Sequence, residues 1–279
     1  MIDLHTHSIY SDGTEAPERV IDLAAAVGCR AVSLTDHDTF AGLPRARARA
    51  GELGVQLVAG CEVSCAYRGT SAHVLVYFVE GAEGPLQDEL VRLRNDRVIR
   101  NRRLVARLQE LGMPVEYEEA LATAEREESL GRPHIAAVMV RRGLAESIPD
   151  AFDRWIGEGK PAYVPKVRVN PAEIAAAARG SGGVVALAHP LSLGLSADQL
   201  ESAVRELAEE GFAGIESYYG RYSVDERAEL VALARRYDLV PTGGSDFHGD
   251  VKVDLAVGVG QGDLDVPDSV LDELAARLP

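Results

Sequence analysis

The chain has few cysteines, little positive charge and no long apolar run. Only Cys29, Cys61 and Cys65 occur in 279 residues. An odd number of thiols in a chain of this length argues against a disulfide-stapled scaffold and fits a reducing compartment. Cys61 and Cys65 flank Glu62, but no second cysteine pair completes a zinc-ribbon pattern, so they read as small buried residues. No segment approaches the ~20 apolar residues of a membrane span. The start, Met1-Ile2-Asp3-Leu4-His5, lacks the basic and apolar regions of a secretory signal, so a cytoplasmic protein without membrane partners is expected. Lys and Arg number 29 against 44 Asp and Glu, a net charge of −15. That excess argues against a generally basic surface and against duplex nucleic acid as a partner. A local basic groove, or a carboxylate site around metal ions, stays open. Hydrophobic residues at 46% provide for a sizeable core.

Short apolar runs alternate with helical periodicity. Strands are expected at 2–4, 31–34, 55–61, 73–79, 183–187, 213–216 and 239–242, with a last one at 254–259. Helices are expected at 17–27, 39–53, 171–179, 197–210, 224–237 and 267–278. Strands mostly followed by helices predict a parallel α/β sheet. At this length a closed or distorted barrel leads over an open doubly wound sheet. Residues 83–165 break the rhythm, being helical in pattern without convincing strands. They read as a helical insertion domain within a barrel domain made of 1–82 and 166–279.

Among the seven histidines, all but His134 fall on strands or at strand ends. His5 and His7 close the first strand, and His37 follows the second in Thr35-Asp36-His37. Glu62 follows the third strand, His73 belongs to the fourth and His189 follows the fifth. Asp246 and His248 follow the seventh. In a parallel barrel the C-terminal strand ends meet on one face, and that face holds the active site. Residues two apart in extended chain point to one side. His5 with His7, and Asp246 with His248, can therefore each face one metal cluster. Imidazoles and carboxylates suit divalent Zn, Mn or Fe. A lone strand-end histidine is more often a hydrogen-bonded rim residue, and Asp12 in Ser11-Asp12-Gly13 is first a turn signature. The joint pattern is what points to metal.

Asp3-x-His5-x-His7, Thr35-Asp36-His37, Gly60-Cys61-Glu62, Ala188-His189-Pro190 and Ser245-Asp246-Phe247-His248-Gly249 resemble the motifs of the PHP (polymerase and histidinol phosphatase) superfamily. The resemblance implies an α/β fold, a distorted (βα)7 TIM-like barrel, with a trinuclear metal site. Carried over by position, it implies a first metal held by His5, His7, Glu62 and Asp246. It implies a second held by Glu62, His73 and His189, with Glu62 bridging, and a third held by Asp12, His37 and His248. Two to three divalent ions (Mn, Fe or Zn) would be the cofactors. Asp12 stands where histidinol phosphatases usually carry His. With the Gly-Arg-Pro-His-Ile-Ala segment at 131–136, it resembles the branch of 3′,5′-nucleotide bisphosphate phosphatases and 5′-to-3′ exoribonucleases.

The insertion carries Arg92, Arg94, Arg97, Arg100, Arg102, Arg103 and Arg107, a basic island in an acidic chain. At about 100° per residue, Leu90, Arg94, Arg97, Asn101, Leu104 and Leu108 share one stripe. Buried unpaired arginine is costly, so that stripe is expected to face a cleft holding anions, with Arg102 and Arg103 in solvent. Arg132 offers a planar fork suited to phosphate, and His134 stands beside it across Pro133. Arg94, Arg97, Arg132, His134 and Lys160, with Asp12 at the metal edge, form the expected substrate-binding set, and Lys166 is weaker. Tyr218 and Tyr219 could stack on a base or pack at the rim.

The expected reaction is hydrolysis of a phosphate monoester or terminal phosphodiester on a small phosphorylated nucleotide or short single-stranded RNA. Its leaving-group acid is open among His134, Asp36 and Glu216, and Asp36 could instead orient a ligand. A C–N-cleaving amidohydrolase would share barrel and ligands, but no lysine stands in the context of its bridging residue. A binding-only PHP domain would have lost ligands that all stand here.

Overall fold

A computed structural model describes every residue except 81, 82, 125, 126, 128, 129, 166 and 168. Short segments rich in Val, Ile and Ala become strands covered on both faces, as parallel α/β sheets require. β1 (Ile2–Thr6), β2 (Ala31–Leu34), β5 (Val184–Leu187) and β7 (Val240–Gly244) are buried along their whole length. With β3 (Gln56–Tyr67), β4 (Thr70–Tyr77) and β6 (Gly214–Tyr219) they form one sheet of seven strands in sequence order. β7 returns to β1: Asp246 N donates to His5 O at 2.8 Å and His7 N to Phe247 O at 2.9 Å. The ring thus closes at the end that carries the histidines. Gly244 permits this closure, since a Cβ there would lie 2.4 Å from the His5 nitrogen.

The helices between strands start on sequence-encoded caps. In α7 (Pro171–Gly180), Asn170 and Glu173 form a capping box with Pro171 at the first turn. Ser196 with Gln199 opens α8 (Ala197–Glu209), and Ser223 with Glu226 opens α9 (Val224–Arg236). α1 (Pro17–Ala26) and α2 (Leu43–Leu53) pair beside the first strands, and α10 (Ser269–Ala275) ends the chain. One apolar core draws on Ile2, Leu4, Val58, Leu75, Tyr77, Ala186, Val240, Val266 and Leu271.

The chain divides into two compact units: Met1–Leu90 with Arg168–Pro279, and Val91–Val167. α3 (Pro85–Glu110) is the long helix at their junction in sequence. Within the second unit, α4 (Tyr117–Leu121), α5 (Arg132–Arg141) and α6 (Ile148–Ala151) share a core of Leu104, Leu108, Val115, Leu130, Ile135, Val138, Met139 and Ile156. Among the described residues no helix is long and apolar enough to cross a membrane.

The barrel expected from sequence is present, with three differences. β4 runs antiparallel to both β3 and β5. Its hairpin turns at Arg68 (φ 48°) and Gly69 (φ 89°), the positive-φ pair of a tight two-residue turn. β3 runs on to Tyr67, so Glu62 lies inside a strand rather than after one. Residues 254–259 alternate like a strand but form turns, because Gly258, Gly260 and Gly262 take φ of 78°, 55° and 112°.

Candidate metal centre

The antiparallel β4 solves the placement of His73. It pairs with Ser64 near the start of β4, so it shares an end of the barrel with the C-terminal ends of the parallel strands. His5 and His7, two apart at the end of β1, turn their Nε2 atoms to within 3.1 Å of each other. Both face Asp246 Oδ1 at 3.4 Å. Asp246 (φ 56°) and His189 (φ 27°) hold left-handed backbone, as does Asp38 (φ 56°) beside His37. Such conformations cost about 1–3 kcal/mol each for residues with a side chain and gather at functional sites.

Glu62 is buried at the centre and divides its two oxygens. Oε1 lies 3.0 Å from His73 Nδ1 and 3.0 Å from His189 Nε2. Oε2 lies 3.4 Å from His5 Nε2, 3.2 Å from His7 Nε2 and 3.3 Å from His37 Nδ1. Asp12, with 39% of its side chain exposed, is 3.2 Å from His248 Nε2, 3.6 Å from His7 Nδ1 and 3.7 Å from His37 Nε2. Ligating atoms converge within 4.8 Å in three groups: His5, His7 and Asp246; His37, Glu62 and His73; His7, Asp12, His37 and His248.

The electrostatics suit cations. Burial alone would raise Glu62, but the imidazoles of His37, His73 and His5 outweigh it and hold the carboxyl well below its usual range. Asp246 and Asp12 are likewise held ionised against burial, Asp246 by His5, His7 and Lys252, Asp12 by His37 and His248. Burial pushes His37 down to about 3, against the pull of Glu62 and Asp12. His7 goes to about 9, because Asp246 and Glu62 outweigh its burial. Two buried atoms, Asp12 Oδ1 and His37 Nδ1, have no hydrogen-bond partner among the described residues. Buried polar atoms are rarely left so. Imidazole and carboxylate donors with unfilled valences fit a divalent metal.

A second layer fixes these donors. Glu216 takes His5 Nδ1 at 2.8 Å on one oxygen and the His189 backbone N–H at 2.7 Å on the other. His248 Nδ1 donates to the Asp246 carbonyl at 2.9 Å, leaving Nε2 for the site. His189 Nδ1 meets Ser192 Oγ at 2.8 Å. Asp36 accepts from Ser8 N (2.8 Å), Ser8 Oγ (2.7 Å) and Ser11 Oγ (2.7 Å). Both oxygens are thereby committed to the loop that leads to Asp12. Burial raises the Asp36 carboxyl.

Sequence reasoning did not single out two contacts on Asp246 Oδ2. Tyr219 Oη donates to it at 2.7 Å, and the Lys252 ammonium touches it. Tyr219 is buried, with its ring 4.7 Å from Tyr222 and 5.7 Å from His189, so it packs at the site rather than waiting for a base. Tyr218 packs against the barrel core. The one usable signal was Tyr219's place at a strand end. Lys252 had none.

Within the second unit, Arg94 and Arg97 are half-buried, Arg102 and Arg103 exposed, and Arg100 buried. Asn101 does not line an anion cleft. It is buried, donating to Leu130 O at 2.6 Å and accepting from Arg100 Nη2 at 2.9 Å. The Arg132 guanidinium lies 5.2 Å from the Phe152 ring and 6.0 Å from the Tyr163 ring. His134 Nδ1 accepts from Gly131 N at 3.0 Å at the start of α5. Lys160 is exposed, and Lys166 lies outside the described residues.

A family model described as PHP domain matches residues 3–128. A 3′,5′-nucleoside bisphosphate phosphatase of Chromobacterium violaceum is 32% identical over 247 residues, 88% of this chain and 87% of that protein. The 5′-3′ exoribonuclease Rnm of Salmonella typhimurium is 32% identical over 249 residues, 88% of this chain and 84% of that protein. A phosphoribosyl 1,2-cyclic phosphate 1,2-diphosphodiesterase of Eggerthella lenta is 35% identical over 257 residues, 88% of this chain and 94% of that protein. A crystal structure from Bifidobacterium adolescentis, provisionally assigned as a metal-dependent phosphoesterase, superposes with a TM-score of 0.84 at 30% identity. That match covers 100% of this chain and 96% of the other. The chain belongs to the PHP domain family.

Proposed function

We propose that the chain is a metal-dependent phosphoesterase acting on nucleotides. Its preferred substrates are 3′,5′-nucleoside bisphosphates, with short 5′-phosphorylated single-stranded RNA as a second class. The observation that carries this is the division of Glu62 between two sets of imidazoles. That is a bridging carboxylate's environment, and Lys252 meets a different acid, Asp246, so no lysine bridge of the amidohydrolase kind is suggested. Two to three divalent ions, Mn, Fe or Zn, would be held by His5, His7, Glu62 and Asp246, by Glu62, His73 and His189, and by Asp12, His37 and His248. Bound there, they would activate water and neutralise charge on phosphoryl oxygens.

The chain's own residues then have distinct tasks. Glu216 orients His5 through Nδ1 and pins the backbone of His189. Asp36, with both oxygens committed, positions the Asp12 loop, which favours an orienting role over proton transfer. Arg94, Arg97, Arg132, His134 and Lys160 are assigned to substrate phosphate by their chemistry. Arg132, held against aromatic rings with Nη1 donating to Ile156 O at 3.4 Å, is the strongest of these. The three buried thiols, none in a disulfide, fit a cytoplasmic setting.

The test is kcat/KM of metal-loaded protein for pAp against AMP, alongside a 5′-phosphorylated oligoribonucleotide and phosphoribosyl 1,2-cyclic phosphate. A clear preference for pAp is expected, and Arg132→Ala should raise KM while keeping the metals. Equal rates on pAp and AMP would turn the reading to a mononucleotide phosphatase. Turnover of the cyclic diester alone would turn it to a diphosphodiesterase.

A further inference from the structure

Lys252 closes the short 3₁₀ turn Gly249–Lys252 that follows the last metal-binding motif. The turn is tied to the loop carrying Asp12: Asp250 N donates to Thr14 Oγ1 at 3.0 Å, and Thr14 N to His248 O at 3.1 Å. Val251 and Val253, on either side of Lys252, are 61% and 84% exposed. The segment is therefore a surface lip, and it turns its lysine inward while its valines face water.

The ammonium reaches Asp246 Oδ2, while Oδ1 of the same carboxylate is 3.4 Å from His5, His7 and His248. Holding that carboxylate in place does not require a lysine. Tyr219 Oη already donates to Oδ2, and it does so as a neutral group. A cation on Oδ2 draws away some of the negative charge that a metal held by Oδ1 would use. What a lysine supplies here, and a tyrosine cannot, is attraction for an anion. Its side chain is 24% exposed, so it is open to solvent, and its four-carbon stem can shift the charge without moving the backbone.

We propose that Lys252 is a substrate-binding residue, holding a non-bridging oxygen of the phosphoryl group that is transferred. This rests on the phosphoesterase reading above and adds a phosphate contact from within the barrel unit. Because it acts on the reacting phosphoryl group, it should matter equally for substrates with one phosphate or two.

The experiment uses the metal-loaded full chain, Lys252→Met, Lys252→Gln as a second variant, and Lys252→Arg. It measures metal content, the affinity for inorganic phosphate by calorimetry, and KM for pAp and AMP. Lys252→Met and Lys252→Gln should retain the metals and weaken inorganic phosphate by about 10- to 100-fold, the loss of one charge-assisted hydrogen bond. KM should rise for pAp and AMP alike, and Lys252→Arg should recover most of the affinity. Unchanged phosphate affinity with lowered metal content would overturn the proposal, leaving Lys252 as a positioning residue for Asp246. Absence of phosphate binding by the wild type would overturn it too. Phosphate binding that depends on Lys252, in a wild type that hydrolyses no ester, would support it while the phosphoesterase reading fell.

Discussion

The C-terminal end of the barrel and the helical unit Val91–Val167 treat buried polarity in opposite ways. The barrel end buries His5, His7, Asp36, Glu62, Glu216, Asp246 and His248 side by side. The helical unit buries an apolar core in which Arg100 and Asn101 are the polar exceptions among the described residues, and they bond to each other. Burying ionisable groups is costly unless each is paired. Asn101 has its partners within its own unit. Of the buried atoms without a hydrogen bond among the described residues, Glu119 Oε2 and Trp155 Nε1 of the helical unit stand singly, whereas Asp12 Oδ1 and His37 Nδ1 at the barrel end lie among converging imidazoles and carboxylates. One region is an ordinary core. The other gathers imidazoles and carboxylates whose ligating atoms converge within 4.8 Å, an arrangement that fits a metal ion.

The largest test of this contrast is Glu62→Gln. A neutral amide is a poor bridge between cations, and Glu62 faces two imidazole sets at once. Transition-state stabilisation should fall by about 3–4 kcal/mol, the scale of removing a key electrostatic group. His248→Asn should cost less, since His248 faces only the Asp12 edge through Nε2. A near-normal kcat in Glu62→Gln would remove the bridging assignment.

Metal loading should separate the two regions in stability. Ions that bind only the folded chain add about 2.7 kcal/mol per site at one hundred times Kd. Manganese should therefore raise Tm, and a chelator should reverse the rise. In hydrogen exchange, protection should increase at β1 and at residues 245–248, with α5 unchanged. Elemental analysis should find two to three ions per chain. At most one ion after manganese supplementation, with no change in exchange at β1, would break the comparison.

The barrel end was readable because its chemistry repeats at spaced positions. His5, His7, His37, His189, Asp246 and His248 each follow a short apolar run, and few other arrangements bring such residues to one place. The direction of β4 was less visible. It depends on the Arg68-Gly69 turn, a two-residue signal between strands that also read as a longer loop. The strand expected at 254–259 failed because alternating Leu255, Val257 and Val259 outweighed glycines whose positive φ curls the chain. Lys252 lay beyond reach for another reason. A lysine in a loop has no spacing to betray it, and its contact with Asp246 exists only once β7 closes on β1. In the helical unit, periodicity put Asn101, Leu104 and Leu108 on one line of α3, and all three are buried, while Arg94 and Arg97 of the same stripe are half-buried and Arg100, off it, is buried.

Asn101 is the sharpest case, and its expected effect is the smallest of the three. It sits in line with Leu104 and Leu108, and a polar residue there could face a ligand or a backbone group. The structure gives it Leu130 O at 2.6 Å and Arg100 Nη2 at 2.9 Å. Asn101→Ala would leave that carbonyl without the amide and remove an acceptor from a buried guanidinium. Each lost partner matters because water does not readily replace it, and the cost should be about 1–3 kcal/mol. The variant should therefore lower Tm while metal content, kcat and KM for pAp stay at wild-type values. A raised KM with Tm unchanged would mean that Asn101 meets substrate after all. The stripe on α3 would then be a binding face, and the contrast between a ligand-built barrel end and a self-sufficient helical unit would no longer hold.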